Sequence, residues 1–446
     1  MYEPGEGDPG EARARRQAER IRAAVVAAYA GAPRMAERLR ECGLVPEAAG
    51  GLSSACSPPA PRLLPDLSAG RSLGGEMRRD PSAGGIESLR RLPILRKDAL
   101  PAAQGRALPF GGLLGAPPST LRRIYISPGP IYDPEPRRGD YWGLAPALHA
   151  AGFRRGDIVL VTFAFHLTPA GHMMDGALDI LGCVTVPGGT GNTDVQARAL
   201  ADLRVTGVIG TPSFVFALLE RAKQLGGEPA VEVALVSGEY LTTALRRRAC
   251  EEFGIRVTQA YATADVGVIA YECPAARGLH VSDRVAVEVV DPETGRPAGV
   301  GAPGEVVVSL LEPPYALLRF GTGDLAAWEE GECPCGRTAP RLAGILGRVG
   351  DAVKIRGLFV HPSEADRVVL TFPEVVRYQI AVTRPGPLDE ARLFLELRPG
   401  ADAAAVCAAV ASAVHERLRL RMVVEAAPAG AIGEGAPRIS DRRDWR

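Results

Sequence analysis

Residues 321–364 read GTGDLAAWEEGECPCGRTAPRLAGILGRVGDAVKIRGLFVHPSE. An acidic turn, Thr322-Gly323-Asp324, opens this span, a Cys-x-Cys knuckle of Cys333 and Cys335 follows, and a Gly-Arg…Asp…Lys-x-Arg-Gly run from Gly347 to Gly357 closes it. Upstream, after His280, the sequence is all-β in character: VAVEVVD, a turn PETGRPAG, then GEVVVSLL and YALLRFGTGD, punctuated by Gly and Pro. Beyond Arg348 come a short strand-turn segment, helix-like PSEADRVVLTF, strands YQIAVTR and LFLELRP, and the helix DAAAVCAAVASAVHERL. That pattern suits a separate small α+β domain, and the boundary is expected near Gly347 to Asp351.

Working outward, strands and helices alternate from Arg122 onward. IVLVTF (158–163), CVTVP (183–187), VTGVIG (205–210), VALVSG (233–238) and IRVTQAY (255–261) are short β-branched runs. Helix-like SFVFALLERAKQL and TTALRRRACEEF lie between them. This predicts an α/β fold: a large N-terminal domain of layered, mainly parallel sheets with a β-subdomain, plus the small mobile α+β C-terminal domain. Residues 11–42 read as helical, with Ile21, Val25 and Ala28 at helical spacing. Gly, Pro and Ser dominate 50–85, which reads as a flexible insertion. The expected division is therefore 1–49, a helical segment; 50–85, an insertion; 86–347, the large domain; and 348–446, the small one.

A chain of 446 residues exceeds one ordinary core. Its composition, 46% hydrophobic and 23% charged with formal net charge zero, is globular and carries no electrostatic footprint for nucleic acid or an anionic membrane. No run reaches the roughly 18 apolar residues of a membrane span. The start MYEPGEGDPGEARARR is unlike a secretory signal, so a cytoplasmic location is expected. Eight cysteines are too sparse for a disulfide scaffold, and Cys42, Cys56, Cys183, Cys250 and Cys407 stand alone. Cys273, His280, Cys333 and Cys335 can hold Zn²⁺, because thiolates and imidazole suit that ion and a Cys-Pro-Cys-Gly knuckle puts two sulfurs on one side of a tight turn. On residues alone a reduced core cluster explains them equally well. Phe165 and His166 follow a strand and open a helix, where open α/β sheets place ligands. They can flank a flat ring or serve as core and cap residues. PGGTGNT (187–193) lacks Gly-x-Gly-x-x-Gly spacing, which excludes a Rossmann dinucleotide site.

Several blocks in order resemble adenylate-forming enzymes, and among them the phenylacetate-CoA ligase family. LRRLPILRKDAL (89–100), GCVTVPGGTGNTDVQ (182–196), SGEYLTTALRRRACEEFGIRVTQAY (237–261), the block around Asp265 ending in AYEC, and the 321–364 span all take part. The resemblance implies ATP and Mg²⁺ as cofactors, a small, aromatic or similar carboxylic acid as substrate, and coenzyme A or a carrier-protein thiol as acceptor. An acyl-adenylate forms first, and the thiol then displaces AMP. A homodimer is implied by the resemblance alone.

Residue by residue, the likeness makes Asp324 the ribose-binding acid, since a carboxylate accepts both hydroxyl hydrogens of a cis-diol; an Asp closing a Gly turn is the alternative. Arg348 matches the junction arginine that reaches ribose or phosphate, with a surface salt bridge as its alternative. Asp265 stands where the family has a Mg²⁺-binding Glu, with Ala264 in place of the preceding hydroxyl. Tyr261 would stack on adenine, Ser237-Gly238-Glu239 would line the nucleotide pocket, and Gly188 would join Phe165 and His166 in the acid pocket. Lys354 belongs to the kept junction with Asp351, Arg356 and Gly357, and Gly350 takes the hinge position. Relatives carry a similar Cys…His…Cys-x-Cys set, which implies a structural zinc.

Two departures oppose ordinary ligase chemistry. The phosphate loop of the family is small and Lys-containing, so that backbone N–H groups can cradle phosphate; here Ser127-Pro128-Gly129-Pro130 leads into Asp133 and Glu135, which are expected to repel it. The C-terminal catalytic lysine is replaced by Ala436, and lysines stand only at 97, 223 and 354. Arg438 or Arg442 is expected to compensate in part. The competing expectation is a non-adenylating descendant that binds ligand or uses a preformed acyl-adenylate or acyl-thioester.

Overall fold

The computed structural model describes residues 2–46, 85–127, 130–349, 353–355, 358–360, 362–383, 390–418 and 420–443. The insertion expected over 50–85, apart from Gly85, and the positions Gly129, Gly350, Asp351, Arg356 and Gly357 lie outside the described residues. The chain forms two units. The first comprises Met1–Glu288, Val307–Thr322 and Glu329–Ala343; the second comprises Val289–Val306, Gly323–Trp328 and Gly344–Arg446. The boundary read near Gly347 to Asp351 thus falls inside the second unit, which also takes segments from the β-rich region.

In the first unit five parallel strands lie in the order Val184–Pro187, Ile158–Val161, Gly207–Gly210, Val233–Val236 and Arg256–Thr263. Arg256–Thr263 pairs antiparallel with Gly267–Tyr271, which pairs antiparallel with Leu279–Val281. The β-branched runs form strands because both faces are covered. Val159, Val161, Ile209, Val233 and Leu235 enter one core with Phe153, Met173 and Leu178. Their sequence neighbours Leu160, Val208, Ala234 and Val236 enter another with Leu200, Leu218 and Leu219. This two-residue alternation feeding two cores is the mark of a sheet buried on both faces. The crossovers are Ala170–Leu181, Thr193–Asp202, Pro212–Gln224 and Thr243–Phe253. Thr211 and Thr242 start the last two, their hydroxyls accepting from Phe214 N at 3.4 Å and Leu245 N at 3.1 Å.

Two sequence readings are sharpened in this unit. The helical span read over 11–42 is divided into two helices, Gly10–Gly31 and Pro33–Glu41, because Ala32 before the proline is extended (φ −110°, ψ 97°). The span matched to the phosphate loop is mostly a hairpin, Leu121–Ser127 against Ile131–Pro136. Pro134 and Pro136 are tolerated because this ribbon has only two strands, so each keeps an unpaired edge.

The second unit holds a four-stranded sheet in the order Val423–Ala427, Glu390–Leu397, Val375–Thr383, Ile439–Asp441. Helices Pro362–Val369 and Ala403–Leu418 bring Val368, Val369, Val410 and Val414 into its core, beside Tyr378, Ile380, Leu393 and Leu395. Val353–Ile355 and Leu358–Val360 form a small antiparallel ribbon. Together the units are the α/β and α+β parts expected from the sequence. Among the described residues no helix is long and apolar enough to cross a membrane.

Candidate active site and metal centre

The C-terminal ends of the parallel strands collect most of the first unit's site residues, as open α/β sheets do. Gly188 follows Val184–Pro187, and a Cβ there would stand 2.6 Å from Gln196 Oε1 and 2.8 Å from Leu160 Cδ1, so any side chain there displaces Gln196 or Leu160. Gln196 Nε2 faces the carbonyls of Gly188, Gly189 and Gly191 at 3.3, 3.1 and 2.6 Å. The Asn-Thr-x-x-Gln segment therefore folds the glycine-rich loop onto one buried amide. Phe165 meets the His172 ring edge-on at 5.2 Å and packs against the core, whereas His166 is exposed. His172, which the sequence reading passed over, is held by the Phe165 carbonyl at 3.2 Å and leaves Nδ1 buried without a partner. Ser237 is buried at the end of Val233–Val236. Glu239 reaches back to the start of the preceding helix, Pro212–Gln224, accepting from Ser213 N at 3.1 Å and Ser213 Oγ at 2.9 Å. Tyr261 is buried on Arg256–Thr263.

Asp265 occupies the turn between Arg256–Thr263 and Gly267–Tyr271, yet its side chain is fully buried. Burying a carboxylate is costly without a counter-charge. Lys97 supplies it, donating from Nζ to Asp265 Oδ2 at 2.5 Å across 168 residues of sequence. Asp265 Oδ1 has no hydrogen-bond partner. Arg284, buried, donates to the Tyr141 carbonyl at 2.6 Å and to the Val266 carbonyl, and so braces the turn that carries Asp265. Lys97 and Arg284 were both missed as site residues. A usable signal for the first was its rarity, since nearly every other basic residue is arginine.

The expectation that Asp133 and Glu135 repel phosphate is corrected by their placement. Glu135 is buried and neutralised: Arg123 reaches both its oxygens at 3.1 Å, and Tyr125 donates to it at 2.6 Å. Asp133 is completely buried. Burial first, and the nearby Asp265 charge second, push its carboxyl up to about 8, against smaller opposing effects of Ser127 and Lys97. That direction favours the protonated acid. Neither of its oxygens nor the buried Ser127 hydroxyl completes a hydrogen bond.

Cys273, His280, Cys333 and Cys335 converge, with one ligand atom from each lying within 4.8 Å of all the others. Sulfurs of Cys273 and Cys333 are 3.5 Å apart, and Cys335 Sγ is 3.4 Å from His280 Nε2. His280 comes from Leu279–Val281, Cys273 from just beyond Gly267–Tyr271, and the other two from one turn. Burial, aided by Arg337, lowers His280 to about 4, so its imidazole is neutral and ready to ligate. Burial raises Cys273 to about 12; it also raises Cys335, but hydrogen bonds from Arg337 and the neighbouring thiols outweigh it there and the net shift is downward.

In the second unit Asp324 and Arg348 are neighbours, Arg348 Nε standing 3.7 Å from Asp324 Oδ1. The acidic turn read at Thr322-Gly323-Asp324 is instead part of the strand Phe320–Glu329, within which Gly323, at φ 76°, takes a conformation L side chains avoid. Lys354 lies on the ribbon opposite Phe359. Arg438 pairs with Asp366 at 3.2 Å and covers the Tyr378 ring. Arg442 donates to Gln379 Oε1 at 3.1 Å. Both arginines expected to replace the lysine absent at Ala436 are engaged within the small sheet's own surroundings.

Comparison with known proteins bears on the family and the fold. A family profile for AMP-binding enzymes matches residues 147–310, and one for the AMP-binding enzyme C-terminal domain matches 357–443. A phenylacetate-coenzyme A ligase of Thermus thermophilus is 34% identical over 344 residues, covering 73% of this chain and 76% of the relative. That of Pseudomonas putida is 26% identical over 414 residues, covering 89% and 85%. Among solved structures, an open conformation of 2-hydroxyisobutyryl-CoA ligase in complex with 2-HIB-AMP and CoA aligns with TM-score 0.77 over 98% of this chain and 96% of that one, at 24% identity, a likeness of fold.

Proposed function

Because the chain belongs to the phenylacetate-coenzyme A ligase family of AMP-binding enzymes, we propose that it activates a small carboxylic acid, aromatic or similar, with ATP and passes the acyl group to the thiol of coenzyme A in the cytoplasm. The observation that carries this reading is the buried Asp265, paired with Lys97 in the turn that follows the strand Arg256–Thr263. Tyr261 offers a ring for adenine and Ser237-Gly238-Glu239 the rim of the nucleotide pocket. Asp324 holds the ribose hydroxyls with Arg348 beside it. Gly188 and Phe165 border the acid, and Lys354 and Gly350 serve the later thiol-transfer step within a small domain, 348–446.

Two metals fit the residues present. The donors of Asp265 are hard oxygens and one is unpartnered, which suits Mg²⁺. When bound, that ion neutralises phosphate charge. Three thiols and a neutral imidazole suit a closed tetrahedral Zn²⁺ site with no open position, a structural role.

Pyrophosphate release is the test, run with ATP, Mg²⁺ and a panel of aryl and short aliphatic acids. Release above the no-enzyme control with at least one acid supports the reading, and none across the panel refutes it. Ala436, with Arg438 and Arg442 engaged elsewhere, favours a second reading in which the protein only consumes a preformed acyl-adenylate. Turnover of synthetic acyl-AMP with coenzyme A, without turnover from ATP, would decide for that reading.

A further inference from the structure

The family's usual cations for the adenylation step are missing from this chain, and one other cation stands at the buried acid. Position 436 is alanine, no lysine occurs in 126–136, and the chain has only Lys97, Lys223 and Lys354. Lys223 is committed to the Glu252 carbonyl at 2.8 Å and the Phe253 ring at 4.0 Å. In the first unit, Arg123 serves Glu135 and Arg284 serves two backbone carbonyls. Lys97 differs from these. Among the described residues Asp265 is the one carboxylate it pairs with, and an ammonium has three donors. Its side chain is 26% exposed while that of Asp265 is 0% exposed. A ligand approaching the Asp265 turn therefore meets the ammonium before the carboxylate.

Resting on the ligase reading above, we propose that Lys97 is the cation of the adenylation step, replacing the lysine absent at 436. Held on Asp265 without nucleotide, its ammonium donates to a non-bridging oxygen of the α-phosphate as negative charge develops there. An oxygen of the substrate carboxylate bonds to the α-phosphorus. The bond from that phosphorus to the bridging oxygen breaks, and pyrophosphate leaves with its electron pair. Lys97 stays protonated throughout, so no proton is transferred. Its placement on the segment LRRLPILRKDAL, rather than in a mobile C-terminal loop, ties this charge to the same unit as Asp265.

The test compares wild type, Lys97→Met and Lys97→Arg in two half-reactions: pyrophosphate release from ATP and acid, and consumption of synthetic acyl-AMP with coenzyme A. Lys97→Met is expected to lose roughly 10²- to 10³-fold in kcat of the first, by analogy with lost oxyanion donors, and to stay within about 3-fold in the second, with Lys97→Arg recovering part of the loss. A second readout needs no variant: amine-directed labelling of the wild type, mapped by mass spectrometry, should slow at Lys97 when a non-hydrolysable ATP analogue is added and remain unchanged at Lys223. The proposal is overturned by unchanged labelling of Lys97 at saturating nucleotide, by a folded Lys97→Met that adenylates at the wild-type rate, or by an equal fall in both half-reactions, which would mark a structural role. A wild type that adenylates normally beside an unaffected Lys97→Met removes this inference alone, whereas a wild type that never adenylates removes the ligase reading with it.

Discussion

Removing metal from the cysteine–histidine centre should loosen the fold without unfolding it. With Zn–S near 2.3 Å and Zn–N near 2.0–2.1 Å, a tetrahedral ion places two sulfurs about 3.8 Å apart and a sulfur and nitrogen about 3.6 Å apart. The chain shows 3.5 Å and 3.4 Å for these separations, far from the roughly 2.05 Å of a disulfide. The ligands sit on or beside strands that the sheet already pairs, so little ordering accompanies binding. Zinc then stabilises by mass action, about 4 kcal/mol when free metal exceeds its dissociation constant a thousandfold. For a unit of this size that amounts to a fall in Tm on the order of 10 °C on chelation. Plasma emission on protein purified without added metal should report about one zinc per chain, Cys333→Ser should lower that occupancy, and chelator should reproduce the variant's Tm. Metal-free protein with reduced thiols and a chelator-insensitive Tm would refute the assignment.

Three further outcomes follow from particular contacts. Asp133 has its folded-state pKa raised from the usual 3.8 to about 8, so the native state binds the extra proton and stability falls as pH rises from about 4 to about 8; Asp133→Asn should remove that decline, with a Tm advantage over wild type that grows across the window and levels off above it. Gly188→Ala forces a Cβ against Gln196 and Leu160 and should cost about 1–3 kcal/mol in urea denaturation; an unchanged midpoint would contradict the crowding. Asp324→Asn removes a charged acceptor worth about 1.5–3 kcal/mol, so the KM for ATP should rise about 10- to 100-fold with a smaller change for the acid, and equal KM values would deny it the ribose role.

The large fold was legible because burial on both faces imposes a local pattern. Ile158–Val161, Gly207–Gly210 and Val233–Val236 are continuous apolar runs, and such runs between amphipathic helices leave few arrangements besides a parallel sheet. The helical character of 11–42 was legible from its spacing, and Pro33 marks where the structure divides it. The 126–136 segment misled because prolines and acids read as an open loop when taken one by one. Their partners, Arg123 and Tyr125, lie on the facing strand, and only pairing reveals that Glu135 is neutralised and Asp133 buried.

By itself the sequence determined the kinds of chemistry on offer: three thiols and an imidazole, an acid beside a glycine at Gly323-Asp324, an acid after Tyr261, and only three lysines. Composition and short-range spacing are properties of the chain alone, so those conclusions need no coordinates. Only the tertiary structure decided which charges meet. Lys97 and Asp265 are 168 residues apart, as are Cys273 and Cys333 by 60, and nothing local couples such positions. Whether a carboxylate is a ligand, a repulsive charge or a protonated core group depends on what surrounds it in space, because burial and a neighbouring charge each shift its free energy by as much as its own ionisation does.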